Sequence, residues 1–359
     1  MTVIRPDPLT QLADHGLALF FMTTAPTPLK QFSDVSTQIA TLRDRGMLID
    51  DEKKAERYLK NVGYFRLSAY WHNNRKVKID EHGEPITKNG DVVREDEFED
   101  GTSFDTTLSL YIFDRQLRII ILDAIQRVEI SVRARIVSTL GPVCREAHSK
   151  LKLGVYKSNF IQPQKGQTQS VWDKWRERQA WLLSESSRER FIKHYVSKHG
   201  SLENLPIWVA AEVWDFGCTS HLYLGLAPKY GQSISSAYGI EDQRVLETWM
   251  TSLNFVRNIC AHHRRLWNRR ITKQPSPMKL GESELMDHLW DISDEDHPKP
   301  LNNRVYFILC MLQYMMKQIS PKSTWHFKVH ELIDNADNPE LCQESMGFTK
   351  GWKKMDLWN

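Results

Sequence analysis

Apolar residues along this 359-residue chain recur mostly at helical spacing. The longest run is residues 104–140, where Leu108, Tyr111, Ile112, Leu117, Ile120, Ile121, Ile125, Val128 and Val132 recur until Gly141-Pro142 stops the pattern. Ser33 is expected to cap a helix carrying Val35, Ile39 and Leu42 that ends at Gly46. A second helix, 51–59, runs into the dense block Tyr64 to Trp71. Further helices are expected over 172–198, 241–268 and 302–319, with 208–226 apolar and aromatic and 145–170 as loop. Only residues 76–101 alternate. Val77, Ile79, Ile86 and Val92, with His82-Gly83 and Asn89-Gly90 turns, predict a small β-hairpin followed by an acidic loop.

The pattern divides the chain into a Pro-punctuated N-terminal extension (1–28), an N-terminal helical segment (29–75), the hairpin insertion (76–101), a long helical domain (102–320) and a C-terminal tail with a short helix (321–359). Met22, just before the patterned region, is a candidate natural start. Hydrophobic residues at 41% and charged residues at 26% are those of a folded chain, which excludes global disorder. With 48 basic and 45 acidic residues the net charge is +3, so affinity for nucleic acid must come from local patches. Five scattered cysteines without a CxxC pair argue for a reducing compartment and against a disulfide scaffold or zinc ribbon. No apolar run reaches the roughly 18 residues of a membrane helix. A cytoplasmic protein without membrane association is expected.

Candidate chemistry concentrates at 254–269, Asn-Phe-Val-Arg-Asn-Ile-Cys-Ala-His-His-Arg-Arg-Leu-Trp-Asn-Arg. On a continuous helix Leu253, Val256, Ile259, Cys260, Leu266 and Trp267 share a broad apolar face. Asn254, Asn258, His262, Arg265 and Arg269 form a stripe opposite, flanked by Arg257. A solvated face is the plain reading, but such faces favour Glu and Lys. Asn, His and Arg are residues that hold a polyanion and move protons. One His on one helix does not easily serve as both acid and base, and a symmetric second copy would supply the other.

The string from Val256 to Arg269 resembles the Abi-like abortive-infection proteins (the AbiD/AbiF group), and Arg257-Asn258 followed by His262 is similar to the R-x4-6-H motif of the HEPN superfamily. Three further blocks match in order: Gly63 to Trp71, Leu110 to Arg118 running on to Val128 to Arg133, and Leu205 to Trp208 through Phe216-Gly217. The resemblance covers about residues 29–320, with small departures such as Ala69 where Gly is expected. It implies a mainly α fold, a HEPN-type helical bundle with additional N-terminal helices and the hairpin insertion. It also implies a homodimeric, metal-independent ribonuclease of phage defence that leaves a 2′,3′-cyclic phosphate and needs no cofactor. His262 would be the general acid/base, Arg257 would face the charge on the phosphate, and Asn258 would orient either. Glu129 and Arg133, in the family's other block, would support the site or form a surface ion pair. RNA is the expected substrate, a small non-coding RNA is a candidate regulator, and an inhibitor or antitoxin is expected to restrain the activity.

His263, Arg264, Arg265 and Arg269, with Arg270 and Lys273, make a basic run suited to gripping RNA. Tyr64 and Arg66, with Tyr70 and Trp71, mix stacking surface with a cation, as single-stranded RNA binding does, or they pack a helix. Trp172, Trp175 and Trp181, interleaved with Lys174, Arg176 and Arg178, raise the same question and read mostly as packing. Cys260, His262 and His263 lack a second ligand cluster, so no metal is expected.

Overall fold

A computed structural model describes residues 31–88, 90–144 and 154–359. The extension 1–28 with Met22, Asn89 of the Asn89-Gly90 turn, and part of the 145–170 loop lie outside the described residues. The first three helices are α1 (Val35–Asp44), α2 (Glu52–Asn61) and α3 (Tyr64–Trp71). The cap of α1 is Asp34 rather than Ser33, because the Asp34 carboxylate accepts the Thr37 N–H at 2.8 Å. With Phe98 and Phe104, these helices bury a core of their own around Leu42, Leu67 and Trp71. Between them and the rest, β1 (Arg75–Val77) pairs antiparallel with β4 (Arg94–Phe98), and β2 (Thr87–Lys88) with β3 (Asp91–Val92).

Helix α4 (Phe104–Leu140) has 37 residues, a rod about 55 Å long. Ser103 caps it by accepting the Thr106 N–H at 3.1 Å. After it come α5 (Ser158–Ile161), α6 (Val171–Glu185), α7 (Arg190–His199), α8 (Ile207–Ala210), α9 (Phe216–Gly225), α10 (Pro228–Ser236), α11 (Gln243–Ala261) and α12 (Glu284–Asp287). A short pair, β5 (Trp290–Asp291) and β6 (Lys299–Pro300), precedes α13 (Val305–Ile319), α14 (Trp325–Asp334) and α15 (Pro339–Met346). The fold is mainly α.

Helix α4 is the axis of the main core. It packs against α3, α9, α10, α11, α13 and α14. Its apolar stripe serves this purpose: Leu117, Ile121, Ile125, Val128 and Val132 are all buried. Helix α13 is buried on every side from Val305 to Met316, which explains its nearly unbroken apolar sequence. Residues 321–359 carry α14 and α15 and close the same core with Trp325, Trp352, Leu357 and Trp358. The Trp358 indole donates to the Tyr306 hydroxyl at 3.3 Å, and Gln313 donates to the Leu357 carbonyl at 3.1 Å.

Two helices are shorter than their periodicity predicts. The 172–198 stretch breaks at 186–189, where the Ser186 and Ser187 N–H groups turn back onto Leu182 and Ser184. The second break, at the end of α11, bears directly on the site. Among the described residues no helix is long and apolar enough to cross a membrane.

Candidate functional site

Helix α11 stops at Ala261, so the expected stripe through Arg265 and Arg269 does not exist as one helix face. His262 is the C-cap, and its N–H returns to the Asn258 carbonyl at 3.0 Å. His263 adopts φ +56°, the only positive φ outside glycine among the described residues. Its N–H bonds to the Cys260 carbonyl at 3.0 Å, and the Arg264 N–H reaches back to Ile259 at 2.9 Å. These two bonds are a Schellman turn, with histidine where glycine is usual.

The chain beyond the turn is held by α4. Asp114, fully buried, accepts the Leu266 N–H at 3.1 Å, the Trp267 N–H at 2.8 Å and the Tyr70 hydroxyl at 2.6 Å. Arg118, one turn further along α4, pairs with the same carboxylate and donates to the Arg264 carbonyl at 3.3 Å. Burial pushes the Asp114 carboxyl up, and Arg118, Tyr70 and the two backbone donors pull it back. Helix α3 adds two clamps: Arg66 donates to the His263 carbonyl, and Arg265 donates to the carbonyl of Ala69. Leu266 and Trp267 are therefore buried as expected, through a pinned loop instead of a helix face.

The other half of the site lies one turn back along α11. Arg257 is half-buried and donates to Asn258 Oδ1 at 3.2 Å. Across from it on α4, Glu129 accepts from Arg133 at 2.8 Å, with both side chains mostly buried. Burial raises the Glu129 pKa, and Arg133 and Arg257 oppose that rise, so the acid sits among cations of both helices. Asp215 works in the opposite direction, as a like charge within electrostatic reach. It caps α9 through the Cys218 N–H at 2.7 Å and pairs with Arg178 of α6 at 2.6 Å. Arg133 donates to the Glu212 carbonyl at 3.4 Å, while its Nε is buried without a hydrogen-bond partner among the described residues.

The structure thus gathers Glu129, Arg133, Arg257 and Asn258 where α4 meets α11, and sets His262, His263 and Arg264 exposed at the helix end. Arg269 is half-buried and bonds to the Arg265 carbonyl at 2.9 Å. Arg66 and Arg265 hold backbone carbonyls, and Tyr64 packs edge-on against Trp71 at 5.2 Å. Asp114, Arg118 and Tyr70 were not singled out from the sequence as a unit. A signal existed, since Asp114 and Arg118 fall in register with Leu117, Ile121 and Ile125 on the apolar stripe. Cys260 is buried beneath the turn, and burial pushes its thiol up to about 12. No three His, Cys, Asp or Glu side chains gather as a metal site among the described residues.

Comparison with curated proteins and with solved structures finds no match. A family model described as Abi-like protein matches residues 57–268, from the clamping helices through Asp114, Glu129, Arg133 and Arg257 to the pinned loop. The chain therefore belongs to the Abi-like protein family, which points to abortive infection.

Proposed function

We propose that the chain is an endoribonuclease of phage defence, of the HEPN type, cutting RNA without a metal at a site shared between two copies. The observation that carries this reading is the meeting of Glu129–Arg133 with Arg257 beside an exposed His262. In this reading Arg257 and Arg133, with the mostly buried Glu129 between them, supply the positive charge that meets a phosphodiester. Histidine exchanges protons near neutrality.

In this reading the RNA 2′-oxygen attacks the adjacent phosphorus while a His262 imidazole takes its proton. The bond from phosphorus to the 5′-oxygen breaks, and the leaving oxygen takes a proton from a second imidazole. The products are a 2′,3′-cyclic phosphate and a free 5′-hydroxyl. Arg257 faces the charge that develops on the phosphoryl oxygens, and Asn258 fixes Arg257. No side-chain hydrogen bond orients His262 among the described residues, which favours a second copy as the source of both the orientation and the other proton carrier. DNA lacks the attacking hydroxyl and is not cut. With Arg265 engaged on Ala69, the exposed Arg264, Arg270 and Lys273 are the cations left to grip a regulatory RNA or an acidic inhibitor.

The test compares the protein with His262→Ala on labelled single-stranded RNA and bulk tRNA in EDTA. Loss of acid/base catalysis lowers the rate by about 10²–10⁴-fold. EDTA-resistant cutting with cyclic-phosphate ends that vanishes in the variant is the expected result. Equal RNA binding with no cutting by either protein would replace this reading with that of a non-catalytic RNA-binding or regulatory module.

A further inference from the structure

The three tryptophans of α6 part company in the structure. Trp172 and Trp175 are 3% exposed, stacked on each other at 5.3 Å, and the Trp175 indole donates to the Cys218 carbonyl. Trp181 is 50% exposed. Exposure alone says little, since single apolar side chains on a surface are ordinary. What sets Trp181 apart is its company. The Arg178 guanidinium lies 4.5 Å from the centre of its ring, and the same guanidinium pairs with Asp215 at 2.6 Å.

Asp215 belongs to the charged group around Glu129 and Arg257. The indole is thus tied by one arginine to the rim of the candidate site. A guanidinium held over one ring face fixes the plane of the indole and leaves the remaining surface open. Lys174, Arg178 and Trp181 follow one another at i, i+4 and i+7, all exposed, and share that side of α6 with the exposed Glu177 and Glu185. Cationic groups beside an oriented ring form the arrangement that takes single-stranded nucleic acid, with phosphate on the charge and base on the ring.

We propose that Trp181 is a stacking platform for one base of a single-stranded RNA whose backbone is held at Arg257. This rests on the ribonuclease reading and adds a base-binding subsite to it. A base held on Trp181 sets which phosphodiester reaches Arg257, so the subsite governs the position of cutting as well as affinity.

The test uses the full chain carrying His262→Ala, so that RNA is not consumed. It is titrated by fluorescence anisotropy into a short fluorescein-labelled single-stranded RNA, and into the same RNA with one abasic ribose at each position in turn. Adding Trp181→Ala weakens binding about tenfold, and Trp181→Phe restores most of it. One abasic position costs the indole-bearing protein a similar factor and costs the Ala variant nothing. Unchanged affinity in the Ala variant, or the same abasic sensitivity in both proteins, overturns the stacking platform. Sedimentation of the same samples provides a second check: if Trp181→Ala separates associated copies while leaving RNA affinity intact, the indole is a contact between copies and the inference fails. Absence of RNA binding by every protein overturns the ribonuclease reading along with it. Binding that is indifferent to Trp181 leaves that reading standing and removes only the subsite.

Discussion

Three acid–arginine pairs at i and i+4 punctuate α4, and in sequence they look alike. Side-chain exposure separates them: 0% and 6% for Asp114–Arg118, 17% and 16% for Glu129–Arg133, 30% and 39% for Asp123–Arg127. The outermost pair, with Lys328 also on Asp123, is an ordinary surface contact. The innermost is a carboxylate surrounded by donors. Asp114→Asn turns an NH₂ group onto those donors and strands the Arg118 charge, so it is expected to cost about 3–5 kcal/mol. Asp123→Asn is expected to stay within about 1 kcal/mol. Urea denaturation of both variants measures the contrast, and equal losses would mean that Asp114 does not hold the loop. Spacing alone could not rank these pairs. Both Glu129–Arg133 and Asp114–Arg118 fall in one family block, but what Asp114 holds, a loop 152 positions away, is not written in the residues around it.

Helix ends show most directly what a sequence spells out and what it leaves unsaid. Both limits of α4 are written in its residues, Ser103 as cap and Gly141 as stop. The end of α11 carries no glycine, and Cys-Ala-His-His-Arg-Arg-Leu-Trp continues the helical period past the true terminus. The turn is imposed from outside, by Asp114 on the Leu266 and Trp267 N–H groups and by Arg66 on His263. Arg257 and Asn258 were therefore placed correctly by period, while Arg265 and Arg269 left the helix. A non-glycine residue at φ +56° is strained. His263→Gly is thus expected to melt at or above the parent temperature. His263→Val, β-branched, is expected to lose about 1–3 kcal/mol. Thermal melts of the pair decide it, and a destabilised Gly variant would show that the imidazole itself matters to the fold.

At the scale of the whole molecule, one core around α4 and α13 is closed by the final residues of the chain. Trp358 is fully buried on Tyr306, and Trp325 donates to the Ile120 carbonyl of α4 at 2.9 Å. Trp358→Ala is expected to cost about 3–5 kcal/mol in chemical denaturation. A loss under 1 kcal/mol would mean that the tail only rests on the core. The mainly α character was legible throughout because periodicity is local. The closing role of 321–359 was not, since Trp352 and Trp358 sit among charged and polar neighbours with no helical period. The distance between Asp114 and Leu266 also has a meaning in time. At roughly 5–20 residues per second, a ribosome takes about 8–30 s to add the 152 residues between them. Until the second has emerged, the carboxylate has no loop to hold and His262 has no fixed place.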